Sequence, residues 1–491
     1  MRATVDAMVA GGFVAAGYKY LNLDDGIVEA SRDANGDLVA DRTGFPNGFK
    51  VVADYVHANG MLFGVYTDRG TETCGGRAGA LGHEVADANF YARNGIDYLK
   101  EDSCYGTGDH QTAFGEYATM RDALSATGRP FFFSLCGWES WYSPVCHSLG
   151  NSCRIGNDDT NWAGVLGDID SMAPLYPYAG PGGFNDPCLL LGRDHTGAVA
   201  VTDQQGRAQF SMWAVMAAPM LMSSNVRNLT DFQRETYLNA EVIAVGQDAL
   251  GRQGQRLVGG PLSGGGDGNV PTSLQQCAAG SPAQQWVADA PAAGYLQNPA
   301  SATCLNSDDC GAAVIMYTCI TSGSTCCGDG CLDNLKFSVN ANGTLTTPSQ
   351  QGNCARDNGS GSQITLEACS PGNAAQLGWK LNADKTVTHG GLCLTAGGGD
   401  NGTAIANVWG RTLSDGGLAL VFINADKTLT ANLTCDAACL SVAGWEPSQK
   451  LSVRDLWAKQ DLAPTTAAVG VSVPSLEADG GVAMFKLLPI W

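Results

Sequence analysis

The chain has 491 residues, with 48 Asp and Glu against 28 Lys and Arg, a formal net charge of −20. Phosphate recognition needs clustered cations, so nucleic acid and anionic membranes are excluded as partners, while neutral ligands such as sugars are not. No apolar run is long enough to cross a bilayer, and the length calls for two or three domains.

Residues 1–21 read as an amphipathic helix running into a strand rather than as a signal peptide. From there to about residue 250, helix-period stretches alternate with short apolar runs, as in "FKVVADYVHANG" before "MLFGVYTD". Such αβ units build a parallel sheet, open or closed. Polar residues recur where the apolar runs stop: Asp24 and Asp25, Tyr66 and Asp68, Lys100 and Asp102, Arg154 and Asp158, Asn185 and Asp186. Convergence of polar groups from many strand ends at one rim is the habit of a (β/α)8 barrel, whereas an open sheet gathers them at one switch point. Seven candidate strands are present, the last being "PMLMSSN", so the first of eight is expected to be missing and the chain to be truncated or its start misassigned.

Near Gly260 the texture changes to "GGPLSGGGDGNVPT", a glycine-rich linker. Beyond it "LQQCAAGSPAQQW" and "LEACSPGNAAQLGW" share Leu, Cys, Gln and Trp in order, with a weaker copy ending at Phe337. Three irregular copies of this size suggest a threefold β module in which Trp286, Phe337 and Trp379 are core residues. Its cysteines pair by repeat position, Cys304 with Cys319 and Cys354 with Cys369, though spacing cannot fix connectivity. From "VWGRTLSDGGLALVFINADK" onward the alternation has period two, as in an antiparallel sandwich. The expected domains are 1–260, a catalytic barrel; 261–402, an inserted trefoil-like module; and 403–491, a C-terminal β-sandwich.

Eighteen cysteines without the short paired spacings of a zinc site point to disulfides and an oxidising compartment. Sequons at Asn228, Asn342, Asn358, Asn401 and Asn432 agree with a secretory route, whether to the exterior, a vacuole or a lysosome. The six His form no spaced cluster, so neither a metal nor a cofactor is expected.

The blocks "YKYLNLDDG", "YTDRGTETCGG", "IDYLKEDSCY", "FSLCGW", "RIGNDD", "AGPGGFNDP" and "APMLMSSNVRNLT" resemble, in order, those of glycoside hydrolase family 27, the α-galactosidases and α-N-acetylgalactosaminidases. The middle segment is similar to a ricin-type β-trefoil lectin. The first resemblance implies a retaining exo-glycosidase acting on terminal α-galactose in oligosaccharides or glycoconjugates, with Asp102 as nucleophile and Asp158 as acid/base. It implies sugar contacts from Asp24, Asp25, Tyr66, Lys100, Trp138 and Arg154, and a Cys74–Cys104 disulfide tying two rim loops. Alternatives are α-N-acetylgalactosaminidase, β-L-arabinopyranosidase, or a carbohydrate-binding protein with impaired catalysis. Trp138 would crowd a 2-acetamido group and so tilts the choice to galactose. Taken alone, Asp102 would read as a carboxylate paired with Lys100. That lysine, two positions away on the same strand face, is expected to lower its pKa. Asp158 must be protonated to act, which calls for apolar or anionic surroundings. Three departures stand out: no "PPMGW" strand, Gly26 and Ile27 for Cys and an aromatic, and Cys188 where the family carries an active-site carboxylate.

Overall fold

The computed structural model describes residues 1–490 except 107, 194–195, 264–269, 308–311, 323–331, 360–363 and 397–404. Residues 264–269 of the glycine-rich linker, the sequon at Asn401 and the boundary at 402 lie outside the described residues.

Six parallel strands follow one another in chain order: β1 Tyr20–Asn22, β2 Leu62–Asp68, β3 Tyr98–Asp102, β4 Phe132–Leu135, β5 Ser152–Arg154 and β6 Phe184–Asp186. Helices such as Gly48–Ala58, Glu84–Arg93, His110–Ala126 and Trp162–Met172 return the chain to the start of the next strand. Crossovers of one hand between strands in chain order cover one face of the sheet with helices, and β2, in the interior of the sheet, is buried along nearly its whole length.

The seventh expected strand is the correction. "PMLMSSN" does not extend the sheet; it makes one parallel bridge, Leu190 with Met222, through Leu190 N to Leu221 O at 2.8 Å and Ser223 N to Leu190 O at 3.1 Å. Pro219 brings no N–H to a ladder, and among the described residues no further strand flanks this segment. The result is an open half-barrel. A cavity of about 840 Å³ lies between β1 and residues 217–227, lined by Tyr20, Met220 and Met222 and reaching Lys100, Arg154 and Asp186.

β7, Gln255–Val258, was placed with the barrel by the expected boundary at 260, but it pairs antiparallel with Ala406–Thr412 of the C-terminal sheet. The chain thus leaves this sheet at Val258 and re-enters it on the adjacent strand some 150 residues later. An insert whose ends are already neighbours closes no new loop in the host, which explains why a whole module is tolerated there. The module is built of short antiparallel strands around a core of its own that includes Leu274, Trp286, Leu305, Phe337, Leu366, Trp379 and Leu394. The three repeat aromatics are buried. Trp286 Nε1 donates to Leu394 O at 2.9 Å and Trp379 Nε1 to Ala355 O at 3.2 Å, tying neighbouring repeats together. Both repeat-position disulfides form, along with Cys277–Cys393.

The sandwich has a six-stranded sheet in which Leu418–Asn424 and Gly481–Ile490 are central, and a pair formed by Ala431–Cys435 and Val471–Leu476. One face joins the barrel core, where Trp409, Val421 and Met484 pack with the helix Asp203–Val215. Arg411 is buried at this junction, and its Nη1 donates to Ala214 O and Val245 O, both at 2.7 Å.

Candidate active site

Side chains two apart on a strand share a face, and parallel pairing places Asp68 beside Asp102 and Tyr66 beside Lys100. All four therefore point the same way at one end of the sheet. Glu101, between Lys100 and Asp102, faces the opposite side, fully buried, and among the described residues neither of its carboxyl oxygens finds a hydrogen-bond partner; burial holds it well above the usual carboxylate range.

Asp102 is buried and well held. Oδ2 accepts from Tyr66 OH at 3.0 Å, Oδ1 accepts from Ser103 N at 2.9 Å, and Lys100 Nζ stands 3.6 Å from Oδ2. Lys100 donates to Asp24 Oδ2 at 2.8 Å, so one ammonium bridges two carboxylates. The expected lowering by Lys100 is present, but burial outweighs it together with the Ser103 and Tyr66 hydrogen bonds, and Asp102 sits above the ordinary range. Removing a carboxylate from water costs more here than one partly shared cation returns.

Arg154, at the end of β5, is nearly enclosed. Its Nη2 donates to Asn157 O at 2.7 Å, Gly156 O at 3.3 Å and Asp158 Oδ1 at 3.0 Å, and so holds the following loop by two carbonyls and a carboxylate. Asp158 itself is 73% exposed. The two halves meet at Cys136, a buried free thiol after β4: the charges of Asp102 and Arg154 both act on it, and Arg154 Nη1 lies 3.9 Å from its sulfur.

Asp25 is otherwise engaged: its Oδ1 accepts from Gly26 N and its Oδ2 from Gly75 N, both at 2.6 Å, pinning the loop that carries Cys74. Cys74 is bonded to Cys104, which follows Asp102 by two residues. Trp138 has φ of +61°, and among the described residues its side chain shares no ring contact or hydrogen bond with this group. At the preceding Gly137 a Cβ would lie 1.9 Å from the Tyr142 ring.

Sequence reasoning gave no role to Cys136, Asp68 or Asp186. Each ends a strand beside an assigned residue, the signal that could have found it. Asp186, wholly buried and with no partner for Oδ1 among the described residues, is pushed up to about 6 by burial against the pull of Arg154 and Lys100. Burial and the nearby Asp102 raise Asp68 to about 7, although the amides of Gly70 and Cys104 oppose it. Asp68, Cys74 and Cys104 group their potential ligand atoms within 4.8 Å, but the two sulfurs are bonded to each other and offer no thiolate.

Buried carboxyl, exposed carboxyl, and two cations between them at one mouth of a sheet can bind a polyhydroxylated ring and act on its acetal carbon. Three family models match the chain: alpha galactosidase A over residues 1–248, the alpha galactosidase C-terminal beta sandwich domain over 404–487, and the ricin-type beta-trefoil lectin domain over 292–417. An alpha-galactosidase of Cyamopsis tetragonoloba is 44% identical over 261 residues, 52% of this chain and 62% of that protein. Alpha-galactosidase A of Cellvibrio japonicus is 41% identical over 272 residues, 52% of this chain and 65% of that one. The chain thus spans less than two thirds of the length of these relatives. In fold it is similar to alpha-galactosidase I of Mortierella vinacea, with a TM-score of 0.65 at 21% identity, covering 99% of this chain and 91% of that one. The alpha-galactosidase of Saccharomyces cerevisiae gives 0.64 at 20% identity, covering 100% and 93%.

Proposed function

Since this chain belongs to the alpha-galactosidase A family, we propose that it is a retaining exo-glycosidase releasing terminal α-galactosyl residues from oligosaccharides or glycoconjugates. One observation carries the reading: Asp102 is fixed by Tyr66 and Ser103 beside Lys100, and is linked through Cys136 and Arg154 to a second carboxyl, Asp158.

Asp102, ionised, attacks the anomeric carbon while Asp158 gives its proton to the departing glycosidic oxygen. The product is a galactosyl ester on Asp102. Asp158, now a base, takes a proton from water, whose oxygen attacks the same carbon and returns Asp102 as carboxylate. Two inversions retain configuration, and the two carboxyls must then stand about 5–5.5 Å apart across the bond. Asp158 is open to solvent and paired with Arg154 before substrate arrives, so the bound sugar, by displacing water, supplies the cover that a proton donor requires. Lys100, Asp24 and Arg154 take ring hydroxyls, and Trp138 closes the 2-position against an acetamido group. Six disulfides among the described residues suit a secretory route.

A series of aryl α-galactosides of falling leaving-group acidity tests this. Asp102→Ala is expected to lose activity by on the order of 10⁴-fold or more on all of them. Asp158→Ala is expected to lose most on poor leaving groups and least on dinitrophenolate, which needs no proton. Unimpaired turnover by Asp102→Ala would remove the reading.

A second reading, sugar binding without turnover, has one observation in its favour. Cys188 is buried, its thiol is pushed up to about 12 by burial, and so it brings no charge to Arg154. Galactose binding by calorimetry with no hydrolysis of any aryl galactoside would select it.

A further inference from the structure

Asp158 and Asp159 are neighbours with opposite fates. The first is open to solvent; the second has its Oδ2 buried and lies against the helix Trp162–Met172, on the side from which Asp168 faces the loop. Among the described residues, neither Asp159 Oδ2 nor Asp168 Oδ2 has a hydrogen-bond donor. Two carboxylates are acceptors only, so they can bond to each other only with a proton between them.

The backbone closes tightly round the pair. A Cβ on Gly164 would lie 2.3 Å from Asp159 Oδ1, and one on Gly156 would lie 2.7 Å from Asp168 Oδ1. Asp159 N is held by Cys188 Sγ at 3.3 Å. The charged and titratable groups facing the pair are Arg154 from β5, Asp158 in the loop itself, Asp186 from β6 and Cys188 just after it. Arg154 is the one cation among them, and its Nη2 is already committed to the loop carbonyls and Asp158.

We propose that Asp159 and Asp168 share one proton, and that this shared proton positions Asp158 by latching its loop to the helix Trp162–Met172. This rests on the reading of Asp158 as the acid/base. With the proton in place the pair carries one negative charge. Without it, two like charges are left buried with no donor between them, and the loop is pushed off the helix. Burial, the largest cause for both groups, raises both carboxyls, Asp159 to about 6; the shared proton is the last one the pair loses, so the latch releases as pH climbs from about 6 upward.

Asp159→Asn discriminates, because a carboxamide N–H bonds to the Asp168 carboxylate at any pH. With an aryl α-galactoside, kcat/KM of the unaltered protein is expected to fall above about pH 6, and that of Asp159→Asn to hold to about one pH unit higher. Asp159→Ala, with no such bond, is expected to lose at least tenfold in kcat at every pH with little change in KM. If Asp159 were only a nearby anion, neutralising it would move the alkaline limb down. A limb that moves down or stays put overturns the proposal.

Thermal unfolding gives a readout free of catalysis. A group whose folded-state pKa is raised contributes stability at low pH that is lost as pH rises through the folded value. The Tm advantage of the unaltered protein over Asp159→Asn and over Asp168→Asn is therefore expected to shrink from pH 5 to pH 7. Parallel Tm profiles overturn the shared proton. Should no protein turn over any galactoside, the glycosidase reading fails while these profiles still decide the pair.

Discussion

Tyr66 and Asp102 lie on neighbouring strands, and the phenol donates to Asp102 Oδ2 at 3.0 Å while its own pKa is driven far up by burial and by that carboxylate. A phenol that cannot ionise is a permanent donor, and it fixes which lone pair of Asp102 is left for chemistry. Tyr66→Phe removes about 1–2 kcal/mol of that support, so kcat/KM is expected to fall roughly tenfold with the fold intact by circular dichroism. A variant as active as the parent would show that Ser103 N and Lys100 suffice to orient Asp102.

Burial holds Asp186 at about 6 despite Arg154 and Lys100. The stability it contributes is full below about pH 4 and lost as pH rises through 6, on the order of 3 kcal/mol. Asp186→Asn should flatten that part of the stability–pH curve measured by urea unfolding between pH 4 and 8. An unchanged slope would place Asp186's titration elsewhere.

The Cys74–Cys104 bond closes a 30-residue span whose far end is two residues from Asp102. Replacing both cysteines by serine is expected to cost about 3 kcal/mol, seen as a drop in Tm of roughly 5–10 °C, and to lower kcat more than it changes KM. Equal kcat in the reduced and oxidised protein would separate the loop tie from the chemistry.

Trp138 occupies the left-handed region at φ +61°, a conformation that costs a bulky residue on the order of 1 kcal/mol or more. Trp138→Gly relieves that strain and opens the 2-position, so the ratio of aryl α-N-acetylgalactosaminide to aryl α-galactoside turnover is expected to rise at least tenfold, with Tm unchanged or higher. A constant ratio would show that the indole does not reach the 2-substituent.

Much of this molecule was legible in the chain because it follows from local rules. Alternation of helix-period and apolar runs dictates a parallel sheet, and a parallel sheet sends every strand's C-terminal residues to one side. Polar residues just past apolar runs, Lys100, Asp102 and Arg154 among them, therefore had to meet. The burial of Trp286, Phe337 and Trp379 was likewise readable, since the repeat places each at an equivalent core position.

Tertiary contacts decided the rest. Nothing in "DD" at 24–25 says that Asp25 binds the Gly75 amide while Asp24 pairs with Lys100, nor does "DD" at 158–159 say which faces solvent. Adjacent identical residues differ only in the direction the backbone turns them, and that direction is set by helices and strands far along the chain. β7 joined the sandwich because its partner strand lies across an entire inserted module, and "PMLMSSN" shrank to a single bridge because a strand needs neighbours as well as sequence. Whether burial or a cation governs Asp102 was settled by how completely the fold excludes water there, a quantity that no spacing of residues contains.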